Sequence, residues 1–170
     1  MMDLFEEYLK RGESAWRTRA LTDESMIGCG LTEAQTNVTL ATYGDAVLKL
    51  ALCELLLDKV EELTIEKSKY ESDVSLVRVA QHYRLIPYLT VAKGSTLPRD
   101  YRVFDIEPTF SYSKKEKLRK SNRRHKYIAT ALEAVLGAMY LDHRDFSEIL
   151  SVVRGFMEIL DARGDEQTGH

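Results

Sequence analysis

The sequence predicts an all-α domain. Apolar residues recur at helical spacing in one stretch after another. All three prolines, Pro87, Pro98 and Pro108, fall in a single connecting segment. A chain of 170 residues with 44% apolar side chains is long enough to enclose one core.

Leu4, Phe5, Tyr8 and Leu9 share one face of a first short helix that Gly12 can end. Residues 14 to 36 read as turns and short helical pieces. Residues 37 to 58, NVTLATYGDAVLKLALCELLLD, read as a long apolar helix. Ser72 and Asp73 can cap another, which runs through VSLVRVAQHYRL to about Leu85, just before Pro87. The segment PYLTVAKGSTLPRDYRVFDIEPTFSY reads as a long loop with short extended pieces, of a length that is usually functional or mobile. From about Asn122 the helical pattern resumes as KYIATALEAVLGAMYLD. A last helix, DFSEILSVVRGFMEIL, places Phe146, Ile149, Leu150, Val153, Phe156 and Leu160 on a broad apolar face. The expected organisation is one domain over residues 1 to 160, with N-terminal helices in 1 to 36, a loop and basic segment over 94 to 121, and a flexible polar tail over 161 to 170.

The net charge of −3 argues against a chain that is basic all over, while leaving room for a local patch. Cys29 and Cys53 lack the spacing of a metal knuckle and fit a reducing, cytoplasmic setting. The start, MMDLFEEYLKRGE, is acidic and amphipathic, unlike a signal peptide, and no apolar run reaches the ~18 residues of a membrane span. Trp16, Phe5 and Tyr8 are expected to pack the N-terminal segment on the body, and Tyr70, Tyr83 and Tyr88 to lie in or beside the core. His82 and His125 are read by default as surface residues, and His143 and His170 fall at a helix end and in the tail.

Two acids interrupt apolar sequence. Asp45 is either the N-cap of a helix starting at Ala46 or a residue inside a continuous helix, since Leu40, Tyr43, Val47, Leu50 and Ala51 carry one helical phase through it. Glu133 is flanked by Ile128, Ala131, Leu132, Val135, Leu136 and Met139, which leave it no wide polar face. Small residues near each acid, Ala41 and Thr42 for one, Ala129, Thr130 and Gly137 for the other, allow backbones to approach closely. A buried carboxylate is costly unless compensated. A shared Mg²⁺, with Mn²⁺ as a substitute, is one compensation; pairing of each acid with Lys or Arg, or helix capping, is the other.

The run KKEKLRKSNRRHK, residues 114 to 126, holds eight Lys or Arg against the single acid Glu116 and leads into the Glu133 helix. Basic charge beside an acid pair suits a polyanion gripped through its phosphates. The contact candidates are Lys114, Lys115, Lys117, Arg119, Lys120, Arg123, Arg124 and Lys126.

At these residues the chain resembles the ribonuclease III family. NVTLATYGDAVL is similar to its signature of the form NERLEFLGDAVL, SLVRVAQHYRLIPYLTVAKG to its middle segment, and ATALEAVLGAMYLD to its second acidic motif, ADALEAVIGAIYLD. The order and spacing match over roughly residues 37 to 95 and 122 to 160. The family's usual site takes a pair of acids from each motif, and here Ala41 and Thr130 stand where one acid of each pair would be. That reduced set resembles the mini-ribonuclease III branch or an archaeal-type relative. The chain also ends soon after its last helix, so no separate double-stranded-RNA-binding domain is expected. The resemblance implies an all-α endonuclease fold working as an obligate-type homodimer on double-stranded or structured RNA. It implies Asp45 and Glu133 as catalytic residues that hold Mg²⁺, and products with 5′-phosphate and 3′-hydroxyl ends. The alternative is a catalytically inactive relative that binds structured RNA or a ribonucleoprotein.

Overall fold

The computed structural model describes residues 3–11, 13–59, 61–92 and 112–168, with side chains over 112–124 and 165–168 left aside. Among the described residues, seven α-helices follow in order: α1 Leu4–Arg11, α2 Ala15–Ala20, α3 Val38–Leu55, α4 Leu63–Glu71, α5 Asp73–His82, α6 Tyr112–His143 and α7 Phe146–Thr168. Three short 3₁₀ turns among the same residues, Glu24–Cys29, Glu33–Gln35 and Ile86–Tyr88, punctuate the connections. One parallel bridge, Thr22 to Thr90, is the only β pairing among the described residues, so the all-α prediction holds.

The core forms around α3, against which α2, α4, α6 and α7 pack. Leu40, Leu48 and Leu52 of α3 are buried against Ile128, Leu132, Leu136 and Met139 of α6. Contact between these two helices is unusually close. A Cβ placed on Gly44 would lie 1.7 Å from the Glu133 carbonyl oxygen, and one on Gly137 would lie 3.0 Å from the Gly44 Cα. Only hydrogen at these two positions lets the backbones meet.

The helix ends follow local chemistry. The Ser72 side chain accepts the Ser75 N–H and caps α5, as its sequence indicates. Just beyond the ends of α5 and α6, Arg84 and Arg144 adopt left-handed φ values of 53° and 52°. Phe5 is fully buried, its ring 4.8 Å from Tyr83 and 5.1 Å from Phe156, which fixes α1 across α5 and α7. Tyr8 and Ser14 both donate to Asp142 at the end of α6. Trp16 remains partly exposed under Arg19, while Tyr70 and Tyr88 sit at the core edge as expected.

Several boundaries differ from the sequence reading. The α4 helix is new: none of its residues is fully buried, Lys67–Glu71 and Lys69–Glu66 pairs run along it, and Tyr70 docks it at the core edge and donates to Asp161 of α7. The α6 helix begins at Tyr112, so the basic run is helical backbone and not part of a loop. The α7 helix continues to Thr168, into the segment expected to be a flexible tail. His125 is buried and not on the surface. Residues 93–111, most of the expected long loop, and His170 lie outside the described residues. No helix among the described residues is long and apolar enough to cross a membrane.

Candidate active site

The continuous-helix reading of residues 37 to 58 is the one the structure adopts, with α3 running unbroken through Gly44 and Asp45. Asn37, Ala41 and Asp45 follow one another at four-residue steps and line one side of a cleft. Lys126, Thr130 and Glu133 of α6 line the facing side, and Asp73, the first residue of α5, joins them. The cleft is open to solvent and has a volume of about 700 Å³. Its middle is walled by Ala41 and Thr130, whose small side chains leave the groove wide.

The two predicted acids sit in this one cleft but in different surroundings. The Asp45 side chain is 35% exposed and pairs with Lys49, one turn on, at 2.7 Å. The expectation of burial does not hold for Asp45; it has the Lys partner that the plainer reading foresaw. Glu133 is half-buried, and its carboxyl pKa is pushed up to about 8. Burial is the main cause, followed by the negative charges of Asp45 and Asp73; Lys49 and Lys126 pull the other way. A carboxyl so placed takes up a proton or a cation near neutral pH.

Lys126 is exposed on the cleft wall. The side chains of Lys114, Lys115, Lys117, Arg119, Lys120, Arg123 and Arg124 lie outside the described residues.

Lys49, the partner of Asp45, and the cleft residues Asp73 and Asn37 were not singled out as site residues from the sequence. Lys49 stands four residues after Asp45, a spacing that by itself signals a helical ion pair. Asp73 reads in sequence only as an acid in a helix first turn. Asn37 is 1% exposed, and neither atom of its amide has a hydrogen-bond partner among the described residues. An unpaired buried polar group of this kind costs about 1–3 kcal/mol.

No three acidic, histidine or cysteine side chains among the described residues stand close enough to enclose a metal ion between them. Two carboxylates facing an open cleft nevertheless fit a cation such as Mg²⁺, which keeps several waters and takes few protein ligands. Asp45 and Asp73, whose charges help to raise the Glu133 pKa, supply negative potential that suits such an ion.

A helical domain that brings acids from two packed core helices into one open cleft has the form of a hydrolase site. The ribonuclease III domain profile matches residues 38–144. Ribonuclease 3 of Albidiferax ferrireducens is 30% identical over 148 residues, covering 87% of this chain and 55% of that protein. Ribonuclease 3 of Oleidesulfovibrio alaskensis is 30% identical over 128 residues, covering 72% and 47%. The chain spans about half the length of these curated relatives.

Two structures of the nuclease domain of ribonuclease III from Campylobacter jejuni share the fold. One, described for flexibility in its region involved in dimer formation, has a TM-score of 0.62 at 19% identity over 91% of this chain and 94% of that one. The other has a TM-score of 0.61 at 17% identity over 96% and 97%. The chain belongs to the ribonuclease III family.

Proposed function

We propose that the chain is a Mg²⁺-dependent endoribonuclease, with Mn²⁺ as a substitute, that cleaves double-stranded or structured RNA in RNA maturation and works as a homodimer. The observation that carries this reading is the meeting of Asp45 and Glu133 across one open cleft in a ribonuclease III domain. Asp45 and Glu133 would hold the cation. When bound, Mg²⁺ lowers the pKa of a water and offsets charge developing on the scissile phosphate.

The chain's own groups do the rest. To hold the cation, Glu133, protonated near neutral pH, would give up its proton, and Asp45 would give up its bond from the Lys49 ammonium. Water adds to phosphorus, the bond to the 3′ oxygen breaks, and that oxygen takes a proton, leaving 5′-phosphate and 3′-hydroxyl ends. Lys126, with the basic residues that precede it on α6, grips the duplex through phosphates and 2′-hydroxyls, without reading bases.

Support for the homodimer comes from α3. Its outward face carries Ala46, Leu50 and, just beyond its end, Leu57, the latter two 55% and 66% exposed, an apolar stripe suited to a second copy. Each protomer would then cut one strand.

The inactive RNA-binding relative remains the second reading, favoured by the Lys49–Asp45 pair and by Ala41 and Thr130 in place of acids. Incubation with long duplex RNA, with Mg²⁺ or chelator, separates the two. Cleavage that needs Mg²⁺ and disappears in Asp45→Asn and Glu133→Gln is expected. Intact RNA throughout, from a folded dimer that still retards the duplex on a gel, would establish the binder instead.

A further inference from the structure

We propose that Lys49 is a duplex-contact residue that Asp45 holds back until the cation loads: once the carboxylate turns to the ion, the freed ammonium binds an RNA phosphate beside the cleft. This rests on Asp45 and Glu133 being the metal-holding pair and on duplex RNA being the substrate.

The starting point is a competition for one carboxylate. Lys49 Nζ lies 2.7 Å from Asp45 Oδ2, one turn further along α3. An ammonium and a divalent ion seek the same oxygens, so Lys49 opposes loading of the cation and is displaced by it. Both side chains are well exposed, and an exposed helical pair of this kind is weak. Asp45 therefore exchanges one partner for the other easily.

Where the ammonium goes next follows from its surroundings. The acids whose charges reach Lys49 are Asp45, Glu71 and Glu133. Glu71 already accepts from Lys67 through both oxygens, at 3.0 and 2.8 Å, and Glu133 goes with Asp45 to the cation. None of the three remains open to Lys49, and an incoming phosphate is the next anion. That phosphate needs such a group, because Asp23, Glu24, Asp45, Asp73 and Glu133 on the cleft wall repel it, against Lys126 alone among the described lining residues. Lys126 stands on α6 and Lys49 on α3, and the charge of each reaches Glu133, so the two ammonium groups flank the acids from two helices. By linkage, cation and duplex each strengthen the binding of the other by the same factor.

The test is a double-mutant cycle on the full-length protein in chelator, read by fluorescence anisotropy of a short labelled duplex RNA over a range of salt. Asp45→Asn keeps the shape of the side chain and releases Lys49, so it stands in for the loaded state. It is expected to tighten the duplex and to steepen its salt dependence by about one phosphate contact, so that raising salt from about 50 to about 200 mM weakens it some three- to fourfold more than wild type. Lys49→Met alone should leave the salt dependence unchanged, and Asp45→Asn added to Lys49→Met should not steepen it. Alongside, Mn²⁺ binding without RNA is followed by the electron-spin resonance of free Mn²⁺. Lys49→Met should tighten Mn²⁺ about 2- to 5-fold, the range a weak exposed pair allows, and Lys126→Met by less than about twofold.

An equal gain from Asp45→Asn with and without Lys49→Met makes the effect one of general charge and overturns the inference, while the duplex binding itself stands. Equal tightening of Mn²⁺ by Lys49→Met and Lys126→Met overturns the competition for Asp45. Wild-type Mn²⁺ affinity in Asp45→Asn overturns the metal-holding pair, and failure of the wild type to bind the duplex at low salt overturns RNA as the substrate.

Discussion

Asp45 and Glu133 occupy similar positions in sequence, each an acid inside an apolar helix, and opposite ones in the fold. Asp45 lies at the border between the core face of α3 and its open face, where water and Lys49 both reach it. Glu133 lies on a stretch of α6 where nearly every neighbour is buried, and its carboxyl holds a proton up to about pH 8. An acid in apolar sequence therefore need not be a buried acid. Which face the core claims decides, and here the two helices give one cleft a lysine-paired acid and a protonated one.

The contrast depends on the close contact at Gly44, and breaking that contact has the largest expected effect. Gly44→Ala drives a methyl into the Glu133 carbonyl, so the helices must separate. A loss of roughly 3 kcal/mol or more is expected in urea unfolding, at the upper end for overpacking, because the obstacle is backbone and cannot change rotamer.

Next comes pH. Glu133 has a higher pKa folded, about 8, than its ordinary 4.5, so in that window the native metal-free chain holds a proton that the unfolded chain has released. Its contribution to stability is fully present below about 4.5 and is lost as pH rises toward 8. The unfolding temperature in chelator should fall from pH 5 to pH 9, and Glu133→Gln should flatten that slope. Mn²⁺ affinity should move the opposite way, rising with pH until Glu133 is ionised.

The smallest effect sharpens the comparison from the Asp45 side. Lys49→Met removes a positive charge that pulls the Glu133 pKa down, so that pKa should climb further, read by carbon-13 NMR of the Glu133 carboxyl. Stability should change by no more than about 0.5 kcal/mol, the worth of an exposed helical ion pair.

Much of the fold was legible because its core helices are amphipathic or fully apolar. The spans of α3 and α5 follow the periodicity, the Ser72 cap is where its residue type put it, and the small residues near the acids anticipated the α3–α6 contact. The α4 helix was not legible, because a helix that buries no residue carries no apolar period to read. The start of α6 was missed because its first turns, YSKKEKLRKSN, are mostly basic and carry too few apolar residues to show a period. In the cleft, the two acids stood out as interruptions, whereas Asp73 and Asn37 looked like ordinary helix-start residues.

By itself, the sequence determined the helical class, the two acids, the basic run ahead of Glu133 and the motif order of a ribonuclease III domain, since each is written in residue type and spacing along one chain. Only the tertiary structure decided that Asp45 is half open and paired with Lys49, that Glu133 titrates near 8, and that Asp73 and Asn37 share their cleft. Burial and field are properties of surfaces brought together from distant parts of the chain, and local periodicity records only which face of a helix can be buried, not what it will meet.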